Sequence, residues 1–84
     1  MNDADIMNVI VKALKIEAMR KPNEKIFVGF KSYTYAEFAE MLGGQKNLSK
    51  ADKQLVKSFL EDSVKIFKES QLFREKILEL AAEK

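Results

Sequence analysis

The chain has 84 residues, of which 46% are hydrophobic and 33% are charged, and its formal net charge is +2 at pH 7. It contains no histidine, cysteine or tryptophan, which excludes disulfides, thiolate metal sites and imidazole proton transfer. A chain of this size is expected to form one domain over residues 1–84 and to bury about 60–65% of its unfolded surface. Stability must then come from packing or from a second copy of the chain.

The first predicted helix covers about residues 3–20. Asp3 can accept from the free amides of the first turn, and Pro22 disfavours helix at the residue before it. Apolar side chains spread over more than half of the circumference, which is wider than the stripe that a surface helix needs. We therefore expect this helix to be central in the bundle or to be buried on two sides by different neighbours, for which a second subunit is an economical solution.

An extended segment follows at about residues 25–34. It is rich in aromatic and β-branched residues, which favour strand over helix. We predict a short hairpin whose turn lies within Gly29 to Ser32, although none of the strongest two-residue turn pairs is present. An isolated two-stranded ribbon is marginal in water, so this hairpin must pack on the helices or pair with strands of another chain.

A second, short helix is predicted at about residues 35–42. Thr34 and Glu37 have the spacing of a capping box, in which each side chain bonds to a free backbone amide at the start of a helix. Gly43 and Gly44 end the helix, because glycine adopts the left-handed cap conformation without a steric penalty.

The last third of the chain has a helical pattern that is interrupted once. Ser49 is placed to cap a third helix from about residue 50, with Asp52 where glutamate would be usual. The apolar pattern blurs near Ser70, yet helix-compatible spacing continues through it, so one long helix is an alternative. A break is favoured because four packed elements close a core better than one long rod. The predicted helices are then about 50–69 and 71–82.

The predicted fold is therefore mainly α with a minor β part. It is a bundle of three to four helices with one short β-hairpin or extended segment between the first two helices. No stretch approaches the roughly 18 apolar residues of a membrane span. The acidic segment from Met1 to Asp5 does not resemble a secretory signal. We expect a cytoplasmic protein without a membrane partner.

The remaining polar residues are not arranged for catalysis. Glu37 and Glu40 fall on predicted solvent faces, with no glycine-rich loop or acidic metal loop beside them. Residues 43–46, Gly-Gly-Gln-Lys, lack the spacing of a phosphate-binding loop and the buried strand before it, so they are interpreted as a plain helix end. We expect no enzymatic activity, no cofactor and no metal site.

Protein binding is the function that the sequence favours. The excess of apolar surface on the first helix is poorly explained by one small core, and the extended segment is rich in aromatic residues. We expect a small adaptor, accessory or regulatory module that self-associates as a homodimer, binds another protein, or does both. The candidate interface consists of Met7, Ile10, Val11, Leu14, Phe27 and Tyr33.

Nucleic-acid binding is the alternative. Basic residues outnumber acidic ones over residues 12–57, and lysines near the start of the third helix can meet phosphates. The second helix, the loop and the third helix also have helix-turn-helix proportions. The chain has thirteen lysines but only two arginines, and arginine is the residue that favours bidentate recognition. The third helix also offers little besides Gln54 to contact base edges, which argues against specific recognition. The candidate surface consists of Lys46, Lys50, Lys53 and Lys57.

Overall fold

The structure, a computed structural model, describes residues 1–43 and 48–82. Within these ranges it contains four helices and a two-stranded antiparallel hairpin, and it is 73% helical. The predicted fold class, mainly α with a minor β part between the first two helices, is therefore confirmed. The elements in chain order are α1 (Asp3–Arg20), β1 (Lys25–Val28), β2 (Lys31–Thr34), α2 (Tyr35–Leu42), α3 (Lys50–Glu69) and α4 (Gln71–Ala81).

The cap of α1 differs from the prediction by one residue. The side chain of Asn2 accepts a hydrogen bond from the backbone N–H of Asp5 at 2.8 Å. Asn2 has extended backbone angles, as an N-cap residue requires, whereas Asp3 is already the first helical residue. The expectation that the Asp3 carboxylate caps the helix was therefore wrong. Asp3 instead adds a negative charge to the first turn, where the helix dipole favours it.

The capping box before α2 is present. The backbone N–H of Thr34 donates to the Glu37 carboxylate at 2.8 Å, and the backbone N–H of Glu37 donates to the Thr34 hydroxyl at 3.1 Å. Ser49 caps α3 by accepting from the backbone N–H of Asp52 at 3.1 Å. Local hydrogen bonds therefore set the starts of both helices.

The chain breaks between α3 and α4 at Ser70, which has extended backbone angles. Its N–H still donates to the carbonyl of Ile66 at 2.7 Å, while its hydroxyl accepts from the backbone N–H of Phe73 at 3.2 Å. The Arg74 guanidinium donates to the carbonyl of Phe67 at 2.9 Å. These bonds satisfy backbone groups at both helix ends that a continuous helix would have paired. The favoured break is confirmed.

The hairpin turns through Gly29 and Phe30, because Val28 pairs with Lys31. Gly29 has a φ of 65°, and no other residue in the described ranges has a positive φ. A positive φ at the first central position alone is the pattern of a type II′ turn, whose twist matches the flanking strands and which requires glycine there. A Cβ atom at Gly29 would also lie 3.4 Å from the Leu55 side chain. The turn therefore packs closely against α3.

Two apolar clusters form the core. The first lies between α1, α3 and α4 and centres on Ile10 and Phe67. The second lies between the hairpin, α2 and the first half of α3 and centres on Phe38. α1 contacts α2, α3 and α4, so neighbours within one chain pack against several sides of its wide apolar arc. This is the central position, one of the two alternatives expected for this helix. No helix that the structure describes is both long and apolar enough to cross a membrane.

Candidate interaction sites

The hairpin carries two exposed phenylalanines. The exposed fraction is 76% for Phe27 and 102% for Phe30. In β1, Phe27 lies between half-buried Ile26 and buried Val28, so strand alternation places Phe27 on the outward face. Phe30 is the second residue of the turn, beyond the reach of the core. We call Phe27 and Phe30 together the aromatic tip.

Contacts with α2 and α3 hold the hairpin in place. The Tyr33 ring lies 5.9 Å from the Phe38 ring, and the Tyr33 hydroxyl lies 3.4 Å from Oδ1 of Asp52. The Lys31 ammonium lies 3.5 Å from the same carboxylate oxygen. At the base of the hairpin, the backbone N–H of Tyr35 donates to the carbonyl of Glu24 at 2.9 Å. The aromatic tip therefore lies on a hairpin whose position is fixed by contacts with α2 and α3.

The structure uses most of the predicted interface for the core. The exposed fraction of Ile10 is only 1%, and Met7 and Leu14 pack against the first cluster. Tyr33 packs against the second cluster, and Val11 is half-buried. Of the six predicted interface residues, only Phe27 is mostly exposed. The predicted interface does not include Phe30, which directly follows the turn glycine Gly29 and is fully exposed.

The predicted basic surface lies on one face of α3. Lys50, Lys53 and Lys57 are all exposed, and their spacing places them on the same side of the helix. In the described part of the chain, no carboxylate oxygen lies within 4.0 Å of these ammonium groups. Lys46, the fourth predicted member, lies outside the described residues.

A groove of about 450 Å³ opens between the two apolar clusters. Its walls come from α1, α3, α4, the start of α2 and the base of the hairpin, and most of the lining residues are apolar. Five polar side chains also line it, and three of them, Tyr35, Ser63 and Lys76, lie outside α1 and the turn that follows it. These residues come from α2, α3 and α4, so only the tertiary fold brings them to one site. None of the three was among the predicted site residues.

Across residues 1–43 and 48–82, no group of three or more aspartate or glutamate side chains is placed to hold a metal ion. Comparisons of the chain with protein-family models, curated proteins and solved structures found no match. The function must therefore be argued from the surfaces described above.

Proposed function

We propose that this protein is a small non-enzymatic interaction module that self-associates through its aromatic tip. The observation that supports the proposal is the exposure of two phenylalanines on a hairpin that the rest of the chain holds in place. Covering one such side chain contributes roughly 1.5–3 kcal/mol. Two exposed phenylalanines of one hairpin can therefore contribute much of the free energy of a weak or moderate contact.

A second copy of the chain is the partner that the hairpin fits best. The described sheet consists only of β1 and β2, so each strand has an outer edge without a strand partner. Such an edge can pair with the same edge of another copy. A twofold dimer needs only one self-complementary surface, and β1 combines an edge without a strand partner in the described sheet with an outward phenylalanine. The tip of one copy would then cover the hairpin of the other.

Sedimentation velocity over a concentration series up to the high micromolar range tests this proposal. The wild type should form dimers, and replacing both Phe27 and Phe30 by serine should give monomers. Leu72→Ser is the matched control, because Leu72 is 79% exposed but belongs to α4 and not to the hairpin. A wild type that stays monomeric would refute self-association. Equal loss of the dimer in both variants would refute the aromatic tip as the contact.

The second candidate function is nucleic-acid binding through α3. The observation that favours it is the exposed face of Lys50, Lys53 and Lys57, whose ammonium groups have no carboxylate partner in the described residues. Such a face can attract phosphates and release counterions. It does not include an arginine, and a surface of a few lysines lacks the planar, bidentate donors that read base edges. Nonspecific binding is therefore the form that this function would take.

A further inference from the structure

We propose that the groove between the two clusters binds an amphiphile with an alkyl chain and an anionic head group, such as a fatty carboxylate. This inference does not depend on self-association through the aromatic tip. The groove volume of about 450 Å³ is within the range of about 300–1,000 Å³ that is usual for small-molecule sites.

The walls of the groove fit an alkyl chain. Ile10 and Ile77 of the first cluster and Ile26 and Phe59 of the second all face it. Leu14 is the residue of the described core that packs against both clusters, and it also lines the groove. An alkyl chain lying beside Leu14 would contact both clusters and remove apolar surface from water.

A buried hydroxyl in the wall is available to a ligand. Ser63 is only 7% exposed and is the one buried polar residue in the described ranges. Its hydroxyl makes no hydrogen bond to any residue that the structure describes. No fully buried side-chain oxygen in the described ranges lacks a hydrogen-bond partner, so the Ser63 oxygen keeps some exposed surface, and Ser63 lines the groove. It can therefore bond to an oxygen of the ligand.

The charges at the groove select an anion. Lys21, Glu17 and Lys76 line it. The Lys21 ammonium lies 3.4 Å from Glu17 and 3.8 Å from Glu24, so nearby carboxylates compensate its charge. Lys76 has no carboxylate partner in the described part of the chain. The uncompensated positive charge favours a carboxylate head group, to which the Tyr35 hydroxyl in the same wall can also donate.

Titration of the isotope-labelled protein with dodecanoate below its micelle concentration, followed by amide chemical shifts, tests the inference. Saturable shifts should appear for residues of α1, α3 and α4 that line the groove. Dodecanoate should bind about tenfold more tightly than dodecyltrimethylammonium, which corresponds to about 1.4 kcal/mol. Lys76→Glu should weaken dodecanoate binding by a similar factor. Lys65→Glu is the control, because Lys65 is exposed on α3 and does not line the groove.

Three results would overturn the inference. Absence of saturable shifts with dodecanoate would show that the groove does not bind it. Shifts confined to the hairpin would assign binding to the aromatic tip instead. Equal affinity for the anionic and cationic amphiphiles would refute the selection of an anion. The variant with Phe27 and Phe30 both replaced by serine should still bind dodecanoate at the groove. Failure of self-association can therefore be distinguished from failure of the ligand site.

Discussion

The hydroxyl of Tyr33 donates a hydrogen bond to Oδ1 of Asp52 at 3.4 Å, and this bond links β2 to the first turn of α3. The Lys31 ammonium lies 3.5 Å from the same oxygen. The backbone N–H of Asp52 bonds to the Ser49 hydroxyl, as the predicted cap requires. Its carboxylate, in contrast, contacts the hairpin and does not complete a capping box. Asp52 therefore couples the start of a helix to the element that carries the aromatic tip.

Replacing Asp52 by alanine should lower the free energy of unfolding by about 1 kcal/mol, because the bond to Tyr33 and the favourable charge in the first turn of α3 are both lost. Urea denaturation measures the change. Asp62→Ala is the control, since Asp62 is exposed further along the same helix, and its effect should stay within about 0.5 kcal/mol. Equal effects at the two positions would mean that the contacts of Asp52 with the hairpin do not stabilise the fold.

Thr34→Ala should lower the free energy of unfolding by about 1 kcal/mol, because it removes the acceptor for the Glu37 backbone N–H. Ser32→Ala should cost much less. The structure places exposed Ser32 in β2, opposite Phe27, and no hydrogen bond of its side chain to the described residues is present. Thermal or urea unfolding of both variants checks the difference. Negligible effects at both positions would contradict the role of the capping box.

Truncation of a buried phenylalanine should lower the stability of the protein far more than truncation of an exposed one. Phe38 is 1% exposed, and its ring meets the Phe59 ring edge-on with a centroid distance of 4.8 Å. Phe38→Ala should therefore destabilise the protein by about 3–5 kcal/mol. Phe30→Ala should change the stability of the monomer by no more than about 0.5 kcal/mol. If the Phe38→Ala variant is unfolded, Phe38→Leu is a milder substitution whose effect on stability can be measured. A neutral effect of Phe38→Leu would contradict the described core.

Ser70→Ala should cost about 1 kcal/mol, because it leaves the backbone N–H of Phe73 without its side-chain acceptor. The exposed residue Ser58, in the middle of α3, serves as the control for the serine to alanine change. Alanine has a higher helix propensity than serine, so Ser58→Ala should be neutral or slightly stabilising. A gain in stability at Ser70 would indicate that α3 and α4 join into one helix.

For nucleic acid, we expect no binding tighter than the nonspecific range of about 10⁻⁶ to 10⁻⁴ M at physiological salt. Fluorescence anisotropy with labelled duplex DNA measures the affinity, and any binding should weaken steeply as salt is added. Sequence-selective, submicromolar binding that is abolished by replacing Lys50 and Lys53 with glutamate would contradict this expectation. Nucleic-acid recognition would then replace self-association as the proposed function.

The starts of α2 and α3 were predictable because their chemistry is local. Thr34 and Ser49 each bond to a backbone N–H three residues later, so a short stretch of sequence contains both partners. The same is true of the turn at Gly29, where a positive φ selects glycine. At Ser70, the sequence is compatible with both a break and a continuous helix. There the local cap competed with continuing helical spacing, and the carbonyl bond from Arg74 is one of the contacts that favour separate helices.

The exposure of individual side chains and the existence of the groove depended on the tertiary structure. The periodicity of α1 showed how wide its apolar arc is, but only packing showed that α2, α3 and α4 of the same chain contact this helix. Helical spacing likewise could not show that Tyr35, Ser63 and Lys76 line one groove. Hydrogen bonds between near neighbours depend on a few adjacent residues. The position of a side chain relative to distant helices depends on how all their apolar faces pack together.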